Sequence, residues 1–285
     1  MDILVASRLA AHPDPVLRLA ASLASGLAAE LTLLTVARDA GAAAAAEDAL
    51  ADARAQLRSL PGAPSCRTRL RLGSPAAEIL AELEASDPAL VVLGERAQPK
   101  PLSRRVPGST TRRVIERAPC PVMVAKGQGR APRRLLLCDS GVTEAPLVEV
   151  LATQLPGLLR QAASVTILHV ASQMSAGPSV VAPELEGDAD SPLEGSPERR
   201  LLDRDAASLA GLGIAAELKL RHGLVVEEVL AESETGQADL VIIGANRGRG
   251  WRRVLLSDFA REILQRMDRS VLIMRPSVET QTPGG

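Results

Sequence analysis

Apolar positions along this chain fall into short continuous blocks separated by longer stretches of helical spacing. Ile3-Leu4-Val5-Ala6 is followed by apolar residues at helical intervals over 15–27, then by a second block at 31–36. The same reading gives a helix over 42–60, a strand at 67–72, a helix at 75–84, a strand at 90–94, a loop, a helix at 110–117 and a strand at 121–125. Unbroken apolar strands alternating with helices predict a parallel sheet covered on both faces, because a half-exposed strand would alternate apolar with polar residues instead.

The pattern then repeats. Leu90-Val91-Val92-Leu93-Gly94 recurs as Leu240-Val241-Ile242-Ile243-Gly244, and Arg71-Leu72-Gly73 as Arg221-His222-Gly223, both 150 residues on. A shared offset of that kind marks a tandem duplication. Leu31-Thr32-Leu33-Leu34 matches Val165-Thr166-Ile167-Leu168 at an offset of only 134, so the second copy carries 16 extra residues before Gly223. The stretch 173–198 hosts them: it is rich in Gly, Pro and Ser and has six acids from Glu184 to Glu198, which predicts a mobile acidic loop. The domains are read as 1–126 and 134–275, with a linker at 127–133 and a polar tail at 276–285.

Composition adds bounds. The chain has 285 residues, 46% of them hydrophobic and 24% charged, with a formal net charge of −1. These are values of an ordinary globular protein of two domains. No apolar run reaches the roughly 18 residues of a membrane span, and the chain opens directly in a strand pattern without a signal-peptide core, so a cytoplasmic location is expected. Cys66, Cys120 and Cys138 have no metal-like spacing and are read as inert thiols without a disulfide.

On the strand Ile3–Ala6, on Leu31–Val36, on Gly73-Ser74-Pro75-Ala76-Ala77-Glu78-Ile79-Leu80, on Ala89–Gly94 and on Ala118-Pro119-Cys120-Pro121-Val122-Met123-Val124, the chain resembles a tandem pair of universal stress protein domains. The resemblance implies two Rossmann-like α/β domains, each a five-stranded parallel sheet in the order 3-2-1-4-5 with helices on both faces. It further implies that the two domains pair through their last strands within one chain.

That family contains ATP binders and non-binders. The binders resemble one another in an Asp at the end of strand one, for the adenine end, and in a loop after strand four of the form Gly-x2-Gly-x9-Gly-Ser/Thr. Glycines let the backbone approach phosphate oxygens, and the final Gly-Ser/Thr opens a helix whose N-terminus favours an anion. The first copy keeps Gly94 and the Gly108-Ser109-Thr110 element, but Ala97 replaces the second glycine, the spacing is one residue longer, and Arg8 stands where the Asp is expected. The second copy offers Asp139, one residue early, and Gly244; Arg247 replaces its second glycine and Ser257-Asp258 its Gly-Ser. Asp258 is expected to cap the following helix and repel a second anion.

Other chemistry is thin. Gly244 to Gly250 matches the cofactor loop of short-chain dehydrogenases, yet it follows a fourth strand rather than a first, and the chain has no tyrosine for the Tyr-x3-Lys pair of those enzymes. His12, His169 and His222 are isolated, no nucleophile elbow or P-loop occurs, and the acids Glu227, Glu228, Asp203 and Asp205 read as solvated faces. Seven basic residues between Arg96 and Arg117, and four more between Arg247 and Arg253, suit phosphate, nucleotide or an acidic protein surface. With Trp251 and Phe259 the sole aromatics, nucleic acid is a weaker fit. The expectation is a non-enzymatic stress-response module, regulatory or interaction, with degenerate nucleotide sites. The alternative is a protein that holds ATP, with magnesium, in the first copy through Gly94, Gly108, Ser109 and Thr110.

Overall fold

The computed structural model describes residues 1–9, 15–60, 62–94, 108–140, 146–171, 196–245 and 258–275. Strand β1 (Asp2–Ala6) lies between β2 (Glu30–Ala37) and β4 (Leu90–Gly94); β3 (Cys66–Leu72) pairs with the outer side of β2, and β5 (Val122–Ala125) with that of β4, all parallel. The second half repeats this with β6 (Arg134–Cys138), β7 (Ser164–Ala171), β8 (Glu217–His222), β9 (Leu240–Gly244) and β10 (Ser270–Met274). Counted within each half, the order is 3-2-1-4-5.

The halves are one sheet. Val122, Met123 and Val124 of β5 pair antiparallel with Ile273, Leu272 and Val271 of β10, which joins two parallel five-stranded sheets into ten strands. The two last strands, which would otherwise be open edges, cover each other.

Alternation along each strand feeds two cores. Ile3, Val5, Leu31, Leu33, Leu135 and Leu137 pack under α1 (Pro15–Leu27), α2 (Ala43–Arg58), α5 (Leu147–Gln154), α6 (Pro156–Arg160) and α7 (Pro197–Ala210). Leu4, Ala6, Val91, Leu93, Val241 and Ile243 pack under α3 (Pro75–Ser86), α4 (Ser109–Arg117), α8 (Val225–Thr235) and α9 (Asp258–Arg266). Both faces are therefore dry, as unbroken apolar strands require, and each fully buried Leu or Ile contributes about 1.5–3 kcal/mol.

Two local features depart from the sequence reading. The helix after β6 breaks at Leu155, where Pro156 restarts it as α6. Gly157 of α6 then meets the end of α1 so closely that a Cβ there would lie 2.7 Å from the Gly26 carbonyl oxygen. In addition α7 begins at Pro197, inside the stretch read as loop, because the Ser196 hydroxyl accepts from the Arg199 N–H at 3.0 Å and caps it. Residues 173–195 of that loop lie outside the described residues.

The duplication extends to a buried ion pair. Glu82 of α3 takes the Arg71 Nε at 2.7 Å, and Glu232 of α8, 150 residues on, takes Lys219 Nζ and Arg221 Nη2 at 2.7 Å each. Both glutamates are buried, and each locks a helix to the outermost strand of its half. Among the described residues no helix is long and apolar enough to cross a membrane.

Candidate functional site

In a sheet of order 3-2-1-4-5 the chain leaves strand one toward one face and strand four toward the other, which opens a crevice at their carboxyl ends. Here β1 runs on to α1 on one face and β4 to α4 on the other. Gly94 ends β4 against the Ser7 and Val16 side chains; a Cβ at Gly94 would lie 3.2 Å from Ser7 Oγ and 3.1 Å from Val16 Cγ2. The absent side chain is what allows β4 to pass so close to the end of β1.

Ser7 is the residue that the sequence reading overlooked. Its hydroxyl accepts from the Leu9 N–H at 3.2 Å, in a turn that puts Leu9 at φ +52°, and its carbonyl accepts from the Thr35 hydroxyl at 3.0 Å. Arg8 beside it is exposed. No carboxylate stands at this strand end within residues 7–9, and His12 and Asp14 lie outside the described residues.

Gly108, Ser109 and Thr110 sit at the start of α4. Gly108 is its N-cap; among the described residues no side chain caps the helix, no acid stands in its first turn and nothing lies within 4 Å of where a Cβ would be. Gly108 and Ser109 are exposed. A helix start of this kind leaves N–H groups and the positive end of the macrodipole available to an anion. Ala97 and the basic residues from Arg96 to Arg105 are outside the described residues.

The second copy differs at both ends of the crevice. Strand register matches Ile3 with Leu135, since each pairs with the equivalent first residue of its fourth strand, Leu90 or Leu240. Asp139 therefore corresponds to Ser7, and Ser140 takes the place of Arg8. Asp139 is only 4% exposed; its Oδ2 accepts from the Leu147 N–H at 3.2 Å, at the start of α5, and lies 3.6 Å from Arg204 Nη2. Its carbonyl meets His169 Nδ1 at 2.9 Å. Gly244 ends β9, but Asp258 opens α9 with its carboxylate paired to Arg261, placing a negative charge where the first copy has Ser109. Arg247, Trp251 and Ser257 are outside the described residues.

Asp205 corrects the reading of that acid as solvated. It is fully buried, with Oδ1 accepting from Arg204 Nε at 3.0 Å and Nη2 at 2.8 Å, so Asp139 and Asp205 share one guanidinium. Burial, and then the nearby charge of Asp139, push the Asp205 carboxyl up to about 6 against the pull of Arg204. The sequence carried a signal: Asp205 falls on the stripe Leu202, Asp205, Leu209 that α7 turns inward. Asp203, by contrast, is exposed and pairs with Arg199. Glu227 is also exposed and holds Arg266.

The remaining candidates have structural roles. His169 supports the Asp139 carbonyl, and His222 ends β8 exposed. The three cysteines are free thiols; burial pushes Cys120 up to about 12 and raises Cys66 and Cys138 as well, far from a reactive thiolate. Among the described residues no cluster of His, Cys, Asp and Glu could hold a metal ion.

The model of the universal stress protein family matches residues 1–126 and again 136–275. The chain belongs to the universal stress protein family. Among solved structures, this universal stress protein is similar to one from Archaeoglobus fulgidus, at 13% identity and TM-score 0.68, over 96% of this chain and 98% of that one. A functionally unknown protein from Pseudomonas aeruginosa matches at 17% identity and TM-score 0.67, over 97% and 92% of the two chains. A family member from Arabidopsis thaliana, solved with AMP bound, matches 53% of this chain at 13% identity and TM-score 0.35. No curated protein matches the chain in sequence.

Proposed function

We propose that this tandem universal stress protein is a non-enzymatic, cytoplasmic module of a stress response, regulatory or interaction in kind, whose nucleotide sites have eroded differently in the two copies. The observation that carries this reading is the end of strand one. The first copy has Ser7 and Arg8 there, and the second has a buried Asp139 already engaged with Leu147 and Arg204, so neither described strand end presents an open carboxylate to an adenine. The family's ATP site is therefore matched in part only, and its adenine half is not matched.

A second reading is favoured by one feature, the uncapped start of α4. Gly94, Gly108, Ser109 and Thr110 retain the phosphate half of a site, and a nucleotide held chiefly by its phosphates would bind there. The second copy is excluded from this reading by Asp258.

A thermal-shift titration with ATP and magnesium separates the two. Ligand at about 100 times its dissociation constant stabilises the folded state by roughly 2.7 kcal/mol. The eroded-site reading expects no shift beyond that of an equal ionic strength of salt; a saturable upward shift supports phosphate-led binding in the first copy.

A further inference from the structure

The outermost strand of the first half, β3, has an open side. Leu31 donates its N–H to the Ser65 carbonyl and Gly73 its N–H to the Ala37 carbonyl, so the odd-numbered residues from 65 to 73 turn their backbone groups toward β2. In a parallel strand the alternate residues then turn theirs the other way. The N–H and C=O groups of Cys66, Thr68, Leu70 and Leu72 point to the open edge, and no strand among the described residues pairs with them.

Beside this edge runs a cleft of about 500 Å³ between β3 and α2, floored by Thr68 and Leu70 and walled by Leu50, Ala51 and Ala55, with Glu47 one turn before Ala51 as the one acid of its lining among the described residues. Ala51 and Ala55 leave room for a neighbouring chain to lie close to the helix. Arg54 and Arg58 stand in its wall and make no ion pair among the described residues. On the opposite face of the strand, Arg67 and Arg69 have side chains 68% and 64% exposed; Arg67 pairs with Glu30 at 2.5 Å and Arg69 lies 3.9 Å from Glu82, so each would share its charge with an incoming acid. Both faces of the open edge therefore carry guanidinium groups.

The second half keeps a positive charge at one of these strand positions, Lys219 for Arg69, and reverses it at the other. The residue of β8 that matches Arg67 is Glu217, which pairs with Lys219 at 3.3 Å. An edge whose arginines served only to prevent strand pairing would need neither the cleft nor this asymmetry.

We infer that the open edge of β3, with the cleft against α2, is a docking surface for an extended acidic peptide segment of a partner protein, which adds to the sheet as an eleventh strand. Main-chain hydrogen bonds to Cys66, Thr68, Leu70 and Leu72 supply the register, and acidic side chains on either face meet Arg54 and Arg58 or Arg67 and Arg69. A second copy of this chain is a poor occupant, since its own β3 edge repeats the same positive charges. The inference concerns a surface remote from the strand-one crevice and stands or falls separately from the nucleotide readings.

The test uses the full chain and a fluorescein-labelled peptide of about nine residues alternating glutamate and valine, followed by anisotropy. Arg54→Glu combined with Arg58→Glu is expected to weaken binding about tenfold or more, as reversal of two facing charges should. Thr68→Pro removes one outward N–H without touching the pairing to β2 and is expected to abolish binding, while Leu218→Pro at the matching place in β8 leaves it unchanged. The same peptide N-methylated at alternate residues asks the question of the unaltered protein and is expected not to bind. No binding of the parent peptide, equal binding of the N-methylated one, or binding insensitive to the arginine reversals overturns the proposal. So does an oligouridylate that binds the same arginines more tightly and ignores Thr68→Pro, which would make the surface a nucleic-acid site.

Discussion

Asp139 stands in the second half where Ser7 stands in the first. Each directly follows the central strand of its half and donates its N–H to a leucine carbonyl of the adjacent strand, Leu34 at 3.3 Å for Ser7 and Leu168 at 3.2 Å for Asp139. Their side chains have diverged: Ser7 closes a local turn on Leu9, whereas Asp139 reaches forward to the Leu147 N–H and Arg204. Asp139→Ala is accordingly expected to cost about 1–3 kcal/mol, because it leaves the Leu147 N–H at the start of α5 without its acceptor, while Arg204 keeps Asp205. Ser7→Ala should cost about 1 kcal/mol or less. Urea denaturation of both variants checks the contrast, and a neutral Asp139→Ala would contradict it.

Asp205 makes stability depend on pH. Its carboxyl is raised from the ordinary 3.8 to about 6 in the folded protein, first by burial and then by Asp139. A raised acid contributes its full stability below the unfolded value and loses it as pH climbs through the folded one. Between about pH 4 and 6 the folded state should lose on the order of 2–3 kcal/mol relative to an Asp205→Asn variant, which does not titrate there. Chemical denaturation of the two proteins across that window measures the difference directly; parallel profiles would show that Asp205 is ionised at no cost.

The β5–β10 junction predicts how a half-chain behaves. Val122, Met123 and Val124 are buried in the whole molecule, and residues 1–130 alone would present them as an open apolar edge. That fragment should self-associate in sedimentation experiments at tens of micromolar, and Met123→Lys should return it to monomer. A fragment that is monomeric without the substitution would mean that the junction contributes little.

Element order and the central strands were legible because an unbroken apolar run between helical stretches has few other solutions, and the 150-residue offset shows that run twice, at Leu90–Gly94 and at Leu240–Gly244. The duplicated glutamates were recoverable by the same offset: Glu82 and Glu232, with Arg71 and Arg221, form a pattern that spacing alone contains. Asp139 was less legible, because an acid at a strand end reads alike whether it faces a crevice or caps a helix eight residues on. Register with β9 separates the two, and register is a property of the folded sheet. Asp205 was misread for the opposite reason: charge suggested solvent, while its place between Leu202 and Leu209 already set it on the inward stripe. The break at Leu155 follows from Pro156, whose ring ends one helix and starts the next.

The proposed loss of nucleotide binding in both crevices is tested most plainly by direct calorimetric titration of the full chain with ATP and magnesium. With ATP up to about 1 mM, no saturable heat is expected from either half. Saturable binding that disappears in Ser109→Asp, which copies the charge Asp258 brings to the second half, would move the protein to the phosphate-led reading. Saturable binding that persists in Ser109→Asp would put the ligand in the second half, against Asp258 and the buried Asp139, and would contradict the proposal.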